Sequence, residues 1–376
     1  MPKSLAILIP LILAIAGTAI GFYAPKKVPI NFPQIKEQEK NNFIDPIISR
    51  VNAMSLDEKL GQMLIIGFEH TYLDKHAKKM IVQYHIGGVN LLGRNAQKRD
   101  QIKKLTTNLQ KIAKIPLFIA TDQEGGKFNR FKFFHELTPQ IKISRNKQAE
   151  QIAFDRAKEL VGIGVNMNFS PLLDYVSDTK AYLYSRTFAV DAPTTGDLGG
   201  AMIRGYLKGG VIPVAKHFPG YGNISLDPHR NTARLKTNNS ELEQSLTPFR
   251  KIIADHPVMA IMTAHIIIPE VDNKPATISS RFVSKILREE LGFNGVVITD
   301  DIEMISAGNA PIEQLAVDAV KAGVDIIIST YTPEKQIKIF NRLKKAVLDK
   351  EIAETMIDKS VIRILNLKSV MLLKGN

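Results

Sequence analysis

Eight short apolar runs separated by amphipathic helical stretches, with polar motifs falling where the runs end, predict an α/β fold: a single (β/α)8 TIM-type barrel. The runs are Met63 to Phe68, Gly88 to Leu92, Leu117 to Asp122, Asn166 to Pro171, Ile212 to Phe218, Val258 to His265, Gly295 to Asp300 and Val324 to Thr330. Between them, Glu150 to Val161, Ser240 to Ala254 and Phe282 to Leu291 carry apolar residues at every third or fourth position, as one-sided helices do. Pro333 to Leu348 and Ile352 to Leu373 read as closing helices, with too little sequence after them for a second domain. A doubly wound open sheet shares this alternation. The barrel is favoured because Asp122, Lys216, His217, His265 and Asp300 each sit at or near the end of a run, the rim where barrel enzymes assemble their sites.

Ahead of the barrel, residues 1–27 have the form of a signal peptide or membrane anchor. Lys3 precedes an uncharged stretch from Ser4 to Ala24, which Lys26 and Lys27 close. Gly17, Thr18 and Ala19 offer a small-residue cleavage point, whereas Ile20, Phe22 and Tyr23 extend the apolar run as an uncleaved anchor would. A buried N-terminal helix is the structural alternative, and Pro10 interrupts it. The expected location is outside the cytoplasm: periplasmic, anchored to the inner membrane, or secreted. Residues 28–42, with Pro29 and Pro33 among Lys, Glu, Gln and Asn, read as a polar linker, and 43–376 as the catalytic body.

Composition narrows the chemistry. The chain has 376 residues of which 44% are hydrophobic, enough for a full core without staples. It has no cysteine, so disulfides, thiol nucleophiles and acylated-cysteine anchors are excluded. The net charge of +13 is scattered in singles and doublets such as Lys78-Lys79 and Lys344-Lys345. A nucleic-acid partner wants a concentrated basic stripe, so none is expected; diffuse charge suits an anionic wall or membrane surface. The chain is expected to work as a monomer.

Four segments can carry chemistry. Gly295 to Met304 is an apolar strand ending in the adjacent acids Asp300 and Asp301. A carboxylate there can attack an anomeric carbon, bind a metal or cap a helix, and the segment alone does not choose. Lys216 to His229 ends a strand, turns through Gly220 and Gly222, and places Asp227 two residues before His229. That spacing suits an imidazole that transfers protons beside an orienting carboxylate, although surface loops hold such pairs without function. Ala120 to Arg130 brings Asp122 out of a strand into a double glycine; Asp122 and Arg130 can bind sugar hydroxyls, or Asp122 can cap a helix. Arg186, in Ser185-Arg186-Thr187-Phe188, is by itself only a loop arginine. A nucleophile-elbow serine, a phosphate-binding loop and a zinc-binding His-Glu-x-x-His helix are all missing from the sequence.

These strings together resemble the single-domain β-N-acetylglucosaminidases of glycoside hydrolase family 3, the type that acts on peptidoglycan fragments. The resemblance runs from about Ser55 to Ser329. It rests on Leu56 to Met63, Ile86 to Val89, Asp122 to Gly126 with Arg130, Asn168 to Asp174, Lys216 to Gly220, Met262 to His265 and Leu291 to Asp301. It implies a retaining hydrolase of terminal β-linked N-acetylglucosamine that needs no metal or organic cofactor. It also implies roles: Asp300 as nucleophile, His229 as acid/base, Asp227 as its orienting partner, and Asp122, Arg130, Arg186, Lys216 and His217 as holders of the terminal sugar. Two positions depart from the pattern. Tyr221 stands where similar proteins usually have His, and Pro228 where they usually have Ser. Three alternatives remain: a phosphorylase, since a neutral histidine repels phosphate less than a carboxylate would; a β-glucosidase; and a wall-binding barrel that has lost catalysis.

Overall fold

The computed structural model describes residues 45–225, 227, 233–304 and 310–371. The N-terminal segment and the linker expected at 1–42, and the loop residues Pro228 and His229, lie outside these residues.

Eight parallel strands close into a barrel in chain order, with the last paired to the first. They are β1 (Leu64–Ile66), β2 (Gly88–Leu91), β3 (Phe118–Thr121), β4 (Met167–Asn168), β5 (Ile212–Phe218), β6 (Ala260–Thr263), β7 (Val296–Asp301) and β8 (Ile326–Ser329). All eight fall inside or at the edges of the apolar runs, and the open doubly wound sheet is overturned by the β1–β8 pairing, Leu64 to Ile327. The runs show no alternation because both faces are covered. Side chains of each strand point either into the barrel or under the helices, and nearly every strand residue is buried.

The helices obey local rules that place them. Ser55 caps Leu56–Gln62 in a reciprocal box with Glu58, satisfying two otherwise unpaired N–H groups. Asp191 caps Ala192–Gly209 with a proline in its first turn, and Gly210 ends it at φ +88°, the left-handed position open to glycine. The closing helices are Pro333–Leu348 and Glu354–Met371. The segment expected as an ordinary helix near Phe282 is wound as a π-helix over Arg281–Glu290. Among the described residues no helix is long and apolar enough to cross a membrane.

Two features outside the strands aim the site. Gly125 and Gly126 have φ of +96° and +61°, and a Cβ on Gly125 would sit 2.1 Å from the Thr138 carbonyl oxygen. A side chain there would be strained and crowded, and Glu124, the residue before the turn, lines the barrel mouth. Arg156, fully buried on the helix Asn146–Gly162, then ties that loop down by donating to the carbonyls of Glu124 and Thr138, each at 2.8 Å. A short parallel pair, Ala233–Arg234 with Ile266–Ile267, lies outside the barrel and has no counterpart in the sequence-based expectation.

Candidate active site

A cleft opens at the C-terminal mouth of the barrel, and Asp122, Arg130, Arg186, Lys216, His217 and Asp300 all line it. Six of the eight residues expected at the site therefore meet in one place. Asp227, the seventh, is described and reaches the cleft through Tyr182, a lining residue to which a side-chain hydrogen bond joins it. His229, the eighth, lies outside the described residues.

The wall built by β3 to β5 is a closed set of ion pairs. Lys216, at the end of β5 and 1% exposed, donates to Asp122 Oδ1 at 2.9 Å and approaches Glu124 Oε1 at 2.7 Å. Arg130 reaches Asp122 Oδ2 at 3.2 Å. Arg186 grips Glu124 with two parallel bonds, Nε to Oε2 at 3.0 Å and Nη2 to Oε1 at 2.7 Å, and lies over the Phe128 ring at 4.0 Å. Burial alone would raise the pKa of Asp122; the charges of Lys216 and Arg130 outweigh it and hold the carboxyl well below its usual range. Burial works against Glu124 in the same way, and Arg186 and Lys216 bring it down to about 2. Arg186 is desolvated too, yet Glu124 raises it further above its ordinary value. The cap expected as an alternative for Asp122 is excluded by these partners.

His217 is held from below. Its Nδ1 sits 2.9 Å from Asp174 Oδ2, which also accepts from the His217 backbone N–H at 3.1 Å. The other oxygen of Asp174 accepts from the backbone N–H of Tyr221 at 2.9 Å. That carboxylate fixes the imidazole so that Nε2 faces the cleft, 3.9 Å from Asp300 Oδ2. The Tyr221 ring packs edge-on against His217 with centroids 5.2 Å apart, and its hydroxyl accepts from the backbone N–H of His265 at 3.1 Å.

The adjacent acids of β7 have different fates. Asp301 is buried: its carboxylate accepts from Thr330 Oγ1 and from the backbone N–H of Glu303, a turn-capping arrangement. Burial pushes its pKa up to about 7. Asp300 faces the cleft with its side chain 19% exposed. Among the described residues it accepts a hydrogen bond from the backbone N–H of Asp301 at 2.8 Å. His265, also at a strand end, turns away from chemistry: its ring nitrogens sit 2.8 Å from Thr277 Oγ1 and 2.9 Å from the Asp301 carbonyl. It props the β7 backbone that presents Asp300.

Glu124, Asp174, Tyr182 and Asn90 line or support the cleft without having been singled out from sequence. Glu124 and Asp174 stand inside strings that carry the resemblance, so their position was visible. Their role was not, because their partners lie tens of residues away: Arg186 is 62 positions from Glu124 and His217 is 43 from Asp174.

A parallel barrel whose C-terminal cleft carries paired acids and cations beside a carboxylate that no described cation engages at hydrogen-bond distance has the layout of a barrel enzyme. Residues 55–367 match the glycosyl hydrolase family 3 N-terminal domain. The β-hexosaminidase of Methylobacillus flagellatus is 34% identical over 274 residues, covering 69% of this chain and 77% of that protein. The β-hexosaminidase of Nitrosomonas eutropha is 35% identical over 271 residues, 69% of this chain and 78% of its own. Among solved structures, a family 3 β-N-acetylglucosaminidase from Paenibacillus has a TM-score of 0.83 at 35% identity over 86% of this chain, which spans 64% of that longer one. A β-N-acetylhexosaminidase from Beutenbergia cavernae has a TM-score of 0.78 at 26% identity, with 84% of this chain and 99% of that one covered. The chain belongs to glycosyl hydrolase family 3, and it is a hydrolase.

Proposed function

We propose that this chain is an exo-acting, retaining β-N-acetylhexosaminidase that releases terminal β-linked N-acetylglucosamine from peptidoglycan-derived or related glycans, with Asp300 as the nucleophile. The relatives named β-hexosaminidases and the neighbouring β-N-acetylglucosaminidase support the sugar. The observation that carries the nucleophile is the contrast between the acids. Asp122 and Glu124 are each engaged by cations and Asp301 is buried, whereas Asp300 faces the cleft with one oxygen hydrogen-bonded and the other directed towards His217.

In the first half-reaction an oxygen of Asp300 bonds to C1 of the sugar as the C1–O bond to the leaving group breaks, and His229 gives its proton to that leaving oxygen. In the second, His229 takes a proton from water, the water oxygen bonds to C1, and the bond to Asp300 breaks with its electron pair returning to the carboxylate. The Asp227-x-His229 spacing supports the pairing of orienter and acid/base, and the hydrogen bond between Asp227 and the cleft residue Tyr182 supports Asp227 as part of the site. The wall of Asp122, Arg130, Arg186, Lys216 and His217 holds the sugar hydroxyls. The apolar segment at the N-terminus supports export, which would bring the enzyme to wall fragments outside the cytoplasm.

Incubating the purified chain with aryl β-N-acetylglucosaminide and aryl β-glucoside, with and without phosphate, tests this reading. Proton NMR of the first-formed sugar should show the β-anomer of N-acetylglucosamine in both buffers. Initial release of the α-anomer would remove the covalent intermediate, sugar 1-phosphate formed only with phosphate would make the enzyme a phosphorylase, and preference for the glucoside would overturn the substrate.

A further inference from the structure

Two buried polar atoms in the cleft lining have no hydrogen-bond partner among the described residues: Asn90 Oδ1 and Arg130 Nε. Such orphans are expensive in a folded protein unless something supplies the partner in the working state. Asn90 is itself out of character. It is the third residue of β2, 4% exposed, in a strand whose other members are Gly88, Val89 and Leu91. An apolar residue would fill that position without a polar group to satisfy.

One orphan accepts and the other donates. A ligand group that serves both must donate and accept at once, and a sugar hydroxyl does so. Reversal of the carboxamide changes nothing, since a hydroxyl can accept from the amide nitrogen as readily as it donates to the oxygen. The barrel also says which part of the sugar this is. Asn90 on β2 and Arg130 after β3 stand three and four strands round a closed ring of eight from Asp300 on β7, which is across the mouth. With C1 of a pyranose held at Asp300, C4 is the ring carbon diametrically opposite.

The geometry points to Asn90 as a specificity-determining residue that, with Arg130 Nε, binds the C4 hydroxyl of the terminal sugar. This rests on the hexosaminidase reading above and adds to it the position of the sugar that is inspected. Asn90 discriminates at the far edge from the chemistry, so its loss weakens recognition of a gluco-configured ring without touching nucleophile or acid.

The test compares wild type with Asn90→Leu on 4-nitrophenyl β-N-acetylglucosaminide and on its 4-deoxy and 6-deoxy analogues, with thermal melting of both proteins. Removing one neutral hydrogen bond from a buried pair is worth about tenfold in kcat/KM. Asn90→Leu should therefore lose about tenfold on the parent and the 6-deoxy sugar, and almost nothing more on the 4-deoxy sugar. Its melting temperature should stay level or rise, because an unsatisfied polar group has gone. Equal losses on all three sugars would reveal a structural role and overturn the inference, as would unchanged kinetics. A loss that disappears with the 6-deoxy analogue instead would overturn the assignment to C4. Wild type turning over none of them would bring down the hexosaminidase reading itself, an outcome visible before any variant is made.

Discussion

The two sides of the cleft are built on opposite electrostatic plans. On the β3 to β5 side the carboxylates of Asp122 and Glu124 are each engaged by cations, from Arg130, Arg186 and Lys216, in a network whose ion pairs are set before any ligand arrives. On the β7 side two carboxyl groups stand next to each other with no cation in hydrogen-bond contact among the described residues: one is sealed in by Thr330 and a backbone N–H, and the other is left facing the cleft. A preorganised binding wall needs its charges already balanced, because each then holds its geometry without reorganising. A nucleophile needs the reverse, a carboxylate whose electrons are not committed to a cation. On the proposed reading, the same residue type serves scaffold, recognition and attack according to its partners.

The largest effect that would break this comparison is at Asp300. Asp300→Ala should cut kcat/KM on the aryl N-acetylglucosaminide by about 10^4-fold or more while the melting temperature stays near that of wild type. Substantial residual activity would mean the exposed acid is not the attacking one. His229→Ala probes the same step from the other side: about 10^2 to 10^4-fold loss on poor leaving groups, and a much smaller loss on an activated aryl group that departs without protonation.

Next in size is the stability of the paired wall. Lys216→Met leaves Asp122 and Glu124 buried with one cation fewer. Breaking a buried pair from one side costs about 3 to 5 kcal/mol, so the expected outcome is a large fall in urea midpoint as well as in activity. A variant that melts normally would show that the network is not a rigid unit.

How far each side could be read from sequence follows from the same contrast. The strands were legible because a parallel barrel buries both faces, so its strands are apolar throughout; even so, Asn166 to Pro171 shrinks to the pair Met167–Asn168, since the chain leaves the sheet ahead of Pro171. Asp300 and Asp122 were legible as acids ending apolar runs. The choice between Asp300 and Asp301 came from the resemblance and not from the segment itself, because only packing against Thr330 and Glu303 shows which turns inward. Glu124, Asp174 and Asn90 escaped for a related reason. Their meaning lies in partners or missing partners across the barrel, and no local pattern in a chain records those.

The sealed acid offers a sharper probe than either wall. Asp301 has its pKa pushed up to about 7 in the folded protein, whereas an unfolded aspartate titrates near its ordinary value of 3.8. Below pH 4 both states are protonated and the residue is neutral to stability. Between pH 4 and 7 the unfolded state loses its proton while the folded state keeps it, so the residue costs stability progressively as pH rises, and the cost levels off above 7. Asp301→Asn should therefore match wild type near pH 4 and become more stable than it by a few kcal/mol at pH 7.5, since each pKa unit is worth about 1.4 kcal/mol. Melting curves at four or five pH values suffice, and parallel curves would show that the Asp301 pKa is the same in the folded and unfolded states.

The smallest effect concerns Tyr221, the position that departs from the usual histidine, and it separates positioning from packing. The ring lies against His217 and the hydroxyl accepts from the His265 backbone N–H, so one side chain joins the end of β5 to the end of β6. Tyr221→Phe keeps the ring and leaves a buried N–H unsatisfied, for which about 1 to 2 kcal/mol of stability should be lost. If the ring alone positions His217, KM and kcat stay within about twofold of wild type despite that loss. If the link to β6 matters, kcat falls several-fold with KM unchanged, because His265 also props the Asp301 carbonyl and with it the strand that presents Asp300. Tyr221→His then distinguishes the two further: a hydroxyl-dependent link is not restored by an imidazole of different reach, whereas edge-on packing against His217 largely is.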